Sequence, residues 1–197
     1  MFIAIEGIDG AGKATQAKLL ASWLENKGYK VFLTQEPTGG EIGKLIKKIL
    51  SSNKSKIYHN SEVVALLFAA DRAEHVKKIK KELKKGKVVI SERYLHSSLA
   101  YQSASGLSIR WIKEINKFAI PPNIIIYLDI PAEVGIKRIA SRDVKELFEK
   151  KEFLTKVREN YLKLLEKENN VILIDASQEI KKVQEEIRNK LAYKFPM

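Results

Sequence analysis

The tightest constraint on the fold lies in residues 2–15. An apolar run, Phe2-Ile3-Ala4-Ile5, passes through Gly7-Ile8-Asp9-Gly10-Ala11-Gly12-Lys13-Ala14-Thr15 and straight into a helical pattern. The spacing G-x-x-x-x-G-K between a strand and a helix is that of a loop that wraps a chain of phosphates. Glycines let backbone N–H groups turn inward with no Cβ in the way. The helix start adds unpaired N–H donors and a partial positive charge. Lys13 supplies an ammonium on a flexible stem for the outer phosphates. The bare pattern arises in roughly one chain in twenty of this length by residue frequency alone. A buried strand before it and a helix after it remove most chance cases, so residues 7–15 are expected to bind ATP. One position departs: the hydroxyl residue that usually follows the lysine, placed on Mg²⁺, is Ala14 here. Thr15 comes next, but adjacent helical residues point about 100° apart, so its hydroxyl is not an obvious stand-in.

The same alternation continues along the chain. Val- and Ile-rich runs recur at 31–34, 88–91, 124–129 and 171–175. They are near-continuous rather than alternating, as in parallel strands covered on both faces. Helical patterns lie at 13–27, 41–50, 62–85, 108–119, 132–140, 153–168 and 178–191. This order predicts a doubly wound α/β fold with right-handed crossovers. A length of 197 residues with no linker-like tract suits one domain over 1–197. No apolar run is long enough to span a membrane, and the N-terminus does not read as a signal peptide. The absence of cysteine excludes disulfides and cysteine metal sites, and suits a cytoplasmic address. The net charge is +12, but the lysine runs interleave with Glu and apolar residues at helical spacing. That is the pattern of solvated helix faces, without the basic–aromatic interleaving of a nucleic-acid surface.

Three further segments add chemistry. They are Glu36-Pro37-Thr38-Gly39-Gly40, Leu67-Phe68-Ala69-Ala70-Asp71-Arg72, and Glu92-Arg93-Tyr94-Leu95-His96-Ser97-Ser98-Leu99-Ala100-Tyr101-Gln102. Phe68 and Arg72 lie one helical turn apart, about 6 Å along the axis. A ring and a guanidinium so placed suit stacking a base and clamping a monophosphate. The plain alternatives are core packing for Phe68 and an ion pair from Arg72 to Asp71 or Glu74. Ser97 and Tyr101, like Ser98 and Gln102, are four apart; the plain reading is a polar face on a surface helix.

In this order, with the glycine loop, the segments resemble the thymidylate kinases over nearly the whole chain. The resemblance implies a P-loop NTPase fold with a five-stranded parallel sheet, ATP with Mg²⁺ as donor, dTMP as acceptor, dTDP as product, and a homodimer. It implies that Ser98 and Gln102 hydrogen-bond the thymine edge, with Ser97 beside them. Tyr101 would pack where a 2′-OH would sit. Asp9 would lie near the acceptor's 3′-OH and the metal, and Arg93 would contact the acceptor phosphate and the transferring group. Glu92 stands where the family commonly has Asp near Mg²⁺, so positions 14 and 92 depart together. Glu36 and Pro37 match the acceptor-side loop, with Gln35 in place of a frequent Arg. Residues 138–149 match the lid over ATP. Residues 8–11 hold no Arg or Lys, and family members of that kind carry catalytic arginines in the lid; Arg138 and Arg142 fit, alongside Lys13 and Arg93. For Arg142 the plain alternative is pairing with Asp143. Ala176 would line the adenine. Competing readings are a kinase for another nucleoside monophosphate, a weak nucleotide-binding paralogue (suggested by Ala14 and Glu92), and a nucleic-acid-binding ATPase (suggested by the charge).

Overall fold

The computed structural model describes residues 1–51, 60–139 and 151–195. Five strands, β1 (Phe2–Glu6), β2 (Val31–Gln35), β3 (Val88–Glu92), β4 (Ile124–Asp129) and β5 (Val171–Asp175), form one sheet in the order β2-β3-β1-β4-β5. Every pairing is parallel. The helices are α1 (Lys13–Asn26), α2 (Glu41–Leu50), α3 (Ser61–Lys84), α4 (Leu95–Ala104), α5 (Ile109–Ile115), α6 (Ala132–Ile139), α7 (Lys151–Leu165) and α8 (Ile180–Leu191). No helix among the described residues is long and apolar enough to cross a membrane.

β1 is buried along its whole length because it sits at the centre with a layer on each face. Successive side chains point to opposite faces. Ile3 and Ile5 join the larger hydrophobic cluster with α1, α7 and α8, while Phe2 and Ala4 pack with Val76, Ile79, Val89 and Tyr94. The outer strands depart from the expectation of full burial. Leu33 of β2 is 39% exposed and Leu173 of β5 is 51% exposed, since each strand has a neighbour on one side only.

Three other differences have local causes. The helical pattern at 108–119 stops at Ile115, where the Asn116 side chain donates back to the Ile112 carbonyl at 2.8 Å. α4 was hidden by its mixed small and polar composition. It is not a surface helix: His96, Ser97, Ser98, Leu99, Ala100, Tyr101 and Gln102 are all buried. β1 and β3 run one residue further than their apolar cores and so carry Glu6 and Glu92 to their carboxyl ends. Open α/β sheets collect ligands at those ends.

The glycine loop is pressed against α6. A Cβ on Gly10 would lie 2.4 Å from the Gly135 carbonyl oxygen, and one on Gly135 would lie 2.5 Å from that of Asp9. Gly135 is helical, so alanine there would ordinarily gain about 1 kcal/mol of helix propensity. A Cβ 2.5 Å from a backbone oxygen puts the cost in the upper part of the ~1–3 kcal/mol range of overpacking, which leaves a net loss of about 1–2 kcal/mol. Gly135→Ala is expected to lower the melting temperature by roughly 2–8 °C, at about 2–4 °C per kcal/mol for this size. Thermal unfolding followed by circular dichroism checks it, and a higher melting temperature contradicts it.

Candidate functional site

The loop from β1 to α1 turns on glycine. Gly10 and Gly12 have φ of 82° and 86°. A Cβ on Gly7 would meet the Leu128 carbonyl oxygen at 2.7 Å. Gly12 caps α1 and no side chain bonds the first amides of that helix, which leaves them as donors for an anion. Lys13 is buried, its Nζ donating to the Ile8 carbonyl at 2.7 Å. Burial and the nearby Arg93 charge push the Lys13 ammonium down from 10.5 to about 8, against the pull of Asp9, Glu92 and Glu6.

Arg93 reaches into the loop from the end of β3. Its φ is +64°, a left-handed conformation that costs a non-glycine residue about 1–3 kcal/mol and marks functional sites. The turn aims the guanidinium at Asp9, which it pairs with directly, and at Ser97 Oγ (3.1 Å), Tyr101 Oη (3.2 Å) and the Gly7 carbonyl (3.4 Å). It also lies 4.9 Å from the centre of the Tyr101 ring. Tyr101 Oη donates to Asp9 Oδ2 at 3.0 Å. Burial raises Asp9, but the charges of Arg93 and Lys13 outweigh it and hold the carboxylate below its ordinary range. Burial drives the Tyr101 phenol well up, so it stays a proton donor.

A second buried network lies behind the helix pair. Glu36 Oε2 accepts from Arg72 Nε (2.9 Å) and Nη2 (2.6 Å). Arg72 Nη2 also donates to Ser98 Oγ at 2.8 Å, and Nη1 donates to Asn116 Oδ1. Arg72 is 1% exposed, and each of its three guanidinium nitrogens donates within this network. The alternative reading of Arg72, an ion pair to Asp71 or Glu74, gives way to the pair with Glu36; Asp71 accepts from the Thr38 amide (2.8 Å) and hydroxyl (2.6 Å), fixing the loop after the cis Glu36–Pro37 bond. Phe68 is half-buried on the same helix, one turn before Arg72. Gln102 is buried with no partner for its Oε1 among the described residues.

The ends of β1 and β3 thus carry an anion loop with two cations, Lys13 and Arg93, and the loop after β2 joins a buried polar network around Arg72. The description Thymidylate kinase matches residues 5–187. The chain belongs to the thymidylate kinase family. A probable thymidylate kinase of Thermococcus kodakarensis is 53% identical over 196 residues, 95% of either chain. One of Pyrococcus abyssi is 50% identical over 192 residues, 94% of this chain and 93% of its own. One of Methanocaldococcus jannaschii is 47% identical over 191 residues, 97% of this chain and 93% of its own.

The family's residues fall into place unevenly. Asp9, Lys13, Arg93, Tyr101 and the loop residues Gly7 to Thr15 come together. Ser97 does not offer a free hydroxyl: it donates to Glu6 Oε2 at 2.6 Å, lies 2.7 Å from Tyr161 Oη and accepts from Arg93. Arg138 bonds main-chain carbonyls, Ala176 at 3.0 Å, Ser177 at 3.2 Å and Gly10 at 3.3 Å. Its guanidinium ties the phosphate loop to the Ala176 loop. Arg142 and most of the lid, 140–149, lie outside the described residues. Sequence reasoning passed over Glu6, which is fully buried and accepts from the Tyr94 amide (2.9 Å), Ser97 and Tyr161. A lone carboxylate ending a buried strand was the available signal. Tyr161 read as core, and is, yet its hydroxyl joins this network.

Ala14 and Thr15 are both exposed at the start of α1, so neither places a buried hydroxyl in the loop. Among the described residues no three His, Cys, Asp or Glu side chains converge as a metal cage. Mg²⁺ does not need one: it keeps several waters and takes one or two carboxylates plus substrate phosphates. Asp9 and Glu92, hard oxygen donors that both act on Lys13, fit that regime.

The depressed Lys13 has a consequence for stability. Below about 8 both folded and unfolded chains hold the proton, and the fold carries the full penalty of a buried cation. Between about 8 and 10.5 the unfolded chain binds more protons, so wild-type stability rises with pH. Without nucleotide, Lys13→Met should therefore melt higher than wild type at pH 7, the gap closing towards pH 10.5. Ile8's carbonyl keeps the Ala11 amide, so the variant strands no acceptor. Denaturant midpoints at three pH values test this; a gap independent of pH rules it out.

Proposed function

We propose that this chain transfers the γ-phosphoryl group of ATP to dTMP, giving ADP and dTDP. The observation that carries the reading is Arg93, which joins the phosphate loop at Asp9 to the acceptor helix at Tyr101 and Ser97. One cation thus stands where donor and acceptor phosphates must meet.

In the reaction an acceptor phosphate oxygen forms a bond to Pγ while the bond from Pγ to the β–γ bridging oxygen breaks. The electron pair leaves on ADP. The acceptor is already an anion, so no general base is required, and catalysis reduces to alignment and charge neutralisation. Loop amides and Lys13 hold the donor phosphates. Arg93 neutralises charge on the acceptor and transferring groups, and Arg142 of the lid adds a second cation. Arg138 acts on the adenine side by fixing the loop at Ala176. Phe68 supplies a face for the base. Arg72 belongs to the base end rather than the phosphate end, because it shares a hydrogen bond with Ser98. The orphan amide of Gln102 supplies a further polar contact. Tyr101, tied to both Arg93 and Asp9, closes the space beside the sugar. Mg²⁺, held by Asp9 and Glu92, would neutralise and orient the ATP phosphates. The whole chain would work as one domain with a lid over 138–149, as a homodimer, in the cytoplasm.

A coupled assay with ATP and a panel of dTMP, UMP, AMP and dCMP tests the assignment. The expected outcome is a kcat/KM for dTMP at least about 10²-fold above the others, well inside the roughly 10⁴- to 10⁵-fold discrimination open to a site that hydrogen-bonds its substrate. Preference for UMP or AMP refutes it.

The exposed Ala14 yields a separate expectation. Ala14→Ser adds a hydroxyl at the loop's metal position, so the concentration of Mg²⁺ giving half-maximal rate should fall about 3- to 10-fold, the worth of about one hydrogen bond. Titrating Mg²⁺ at saturating nucleotides measures it. No shift would mean that Asp9, Glu92 and water already satisfy the ion.

A further inference from the structure

His75 lies three residues after Arg72 on α3 and is 3% exposed. Both ring nitrogens are engaged, Nδ1 at 2.9 Å from Glu36 Oε1 and Nε2 at 2.8 Å from Thr34 Oγ1. A carboxylate only accepts, so Nδ1 carries a hydrogen and donates to Glu36. Glu36 in turn uses its other oxygen for Arg72, and Arg72 donates to Ser98. A continuous relay, Thr34–His75–Glu36–Arg72–Ser98, therefore runs from β2 through α3 to α4.

The last torsion of a glutamate is broad, so a carboxylate anchored on one oxygen alone can swing. With His75 on Oε1, Glu36 is anchored at both ends, and the fork of Arg72 has one place to sit. We propose that His75 is a positioning residue for acceptor recognition: it locks Glu36, which presents Arg72 and Ser98 to the nucleoside in one geometry. The proposal rests on the acceptor site described above. His75 touches no substrate and acts only through Glu36.

Three substitutions separate the two ring contacts. His75→Asn keeps an N–H near the Nδ1 position, His75→Gln places its amide nearer Nε2, and His75→Leu removes both. His75→Leu should raise KM for dTMP about 10-fold, the worth of one hydrogen bond to a charged group, with KM for ATP within about 2-fold of wild type. His75→Asn should restore most of the loss and His75→Gln little of it. An unchanged KM for dTMP, an equal rise for both substrates, or equal rescue by Asn and Gln overturns the proposal. If His75→Leu does not fold, Thr34→Val frees only the Nε2 end and should raise KM for dTMP about 2- to 5-fold; no rise again overturns it. The ¹⁵N resonance of the Arg72 Nε–H gives a readout without turnover. It should be sharp and slow to exchange in wild type and His75→Asn, and broadened or lost in His75→Leu. If wild type fails to phosphorylate dTMP, the kinase reading falls, while that resonance still decides the role of His75.

Discussion

The site is organised by the pairing of Arg93 with Asp9. The two residues belong to neighbouring strands' ends, one past β3 and one inside the loop after β1. Joining them by an ion pair, with Tyr101 bonded to both, makes a single frame of the phosphate loop and the acceptor helix. The backbone strain at Arg93 follows from this requirement. A residue with ordinary φ would carry its side chain away from the loop, and the contacts to Asp9, Ser97, Tyr101 and Gly7 offset the conformational cost.

Behind that frame sit two buried carboxylates, Glu6 and Glu36, each the hub of a network. Burying a charge is unfavourable unless its oxygens are satisfied. Glu6 is satisfied by an amide and two hydroxyls, Glu36 by a guanidinium and an imidazole. Such hubs are weak contributors to stability, since an apolar replacement of both partners is often neutral or better. Their effect is geometric. Glu6 fixes Ser97 and Tyr161 beneath Arg93, and Glu36 fixes Arg72 beside Ser98. α4 therefore carries one residue from each hub on successive positions, 97 and 98. That is why the polar stretch 97–102 is buried and is not the polar face of a surface helix.

How much of this was legible in the sequence follows from which interactions are local. The strands and the phosphate loop are local features: runs of Val and Ile and a glycine spacing, and they fell within one or two residues of expectation. The pairing of Phe68 with Arg72 was also local, one helical turn, but the direction of Arg72 was not. It is set by Glu36 and Asn116, 36 and 44 residues away along the chain. The surroundings of Ser97 are equally non-local, its hydroxyl being bonded to Glu6 and Tyr161, 91 and 64 residues away. The family resemblance puts Arg138 at the edge of a lid, and its bonds to carbonyls of two loops depend on the sheet order that brings those loops together. Residue type and spacing identify which groups carry charge; the fold decides which of those charges are already spent.

The unspent ones define the functional surface. Lys13 is the clearest case, a buried cation pushed to about 8 because the folded loop supplies it with a carbonyl and distant carboxylates rather than a close counter-ion. A polyphosphate entering the loop brings negative charge against that ammonium and reverses the shift. The same anion would meet the uncapped amides of α1 and the guanidinium of Arg93. The free protein is thus held with an excess of positive charge and orphan donors at one point, at some cost in stability. The ligand that cancels all three costs together is a chain of phosphates, which is why the loop can bind ATP strongly while presenting almost no apolar surface to it.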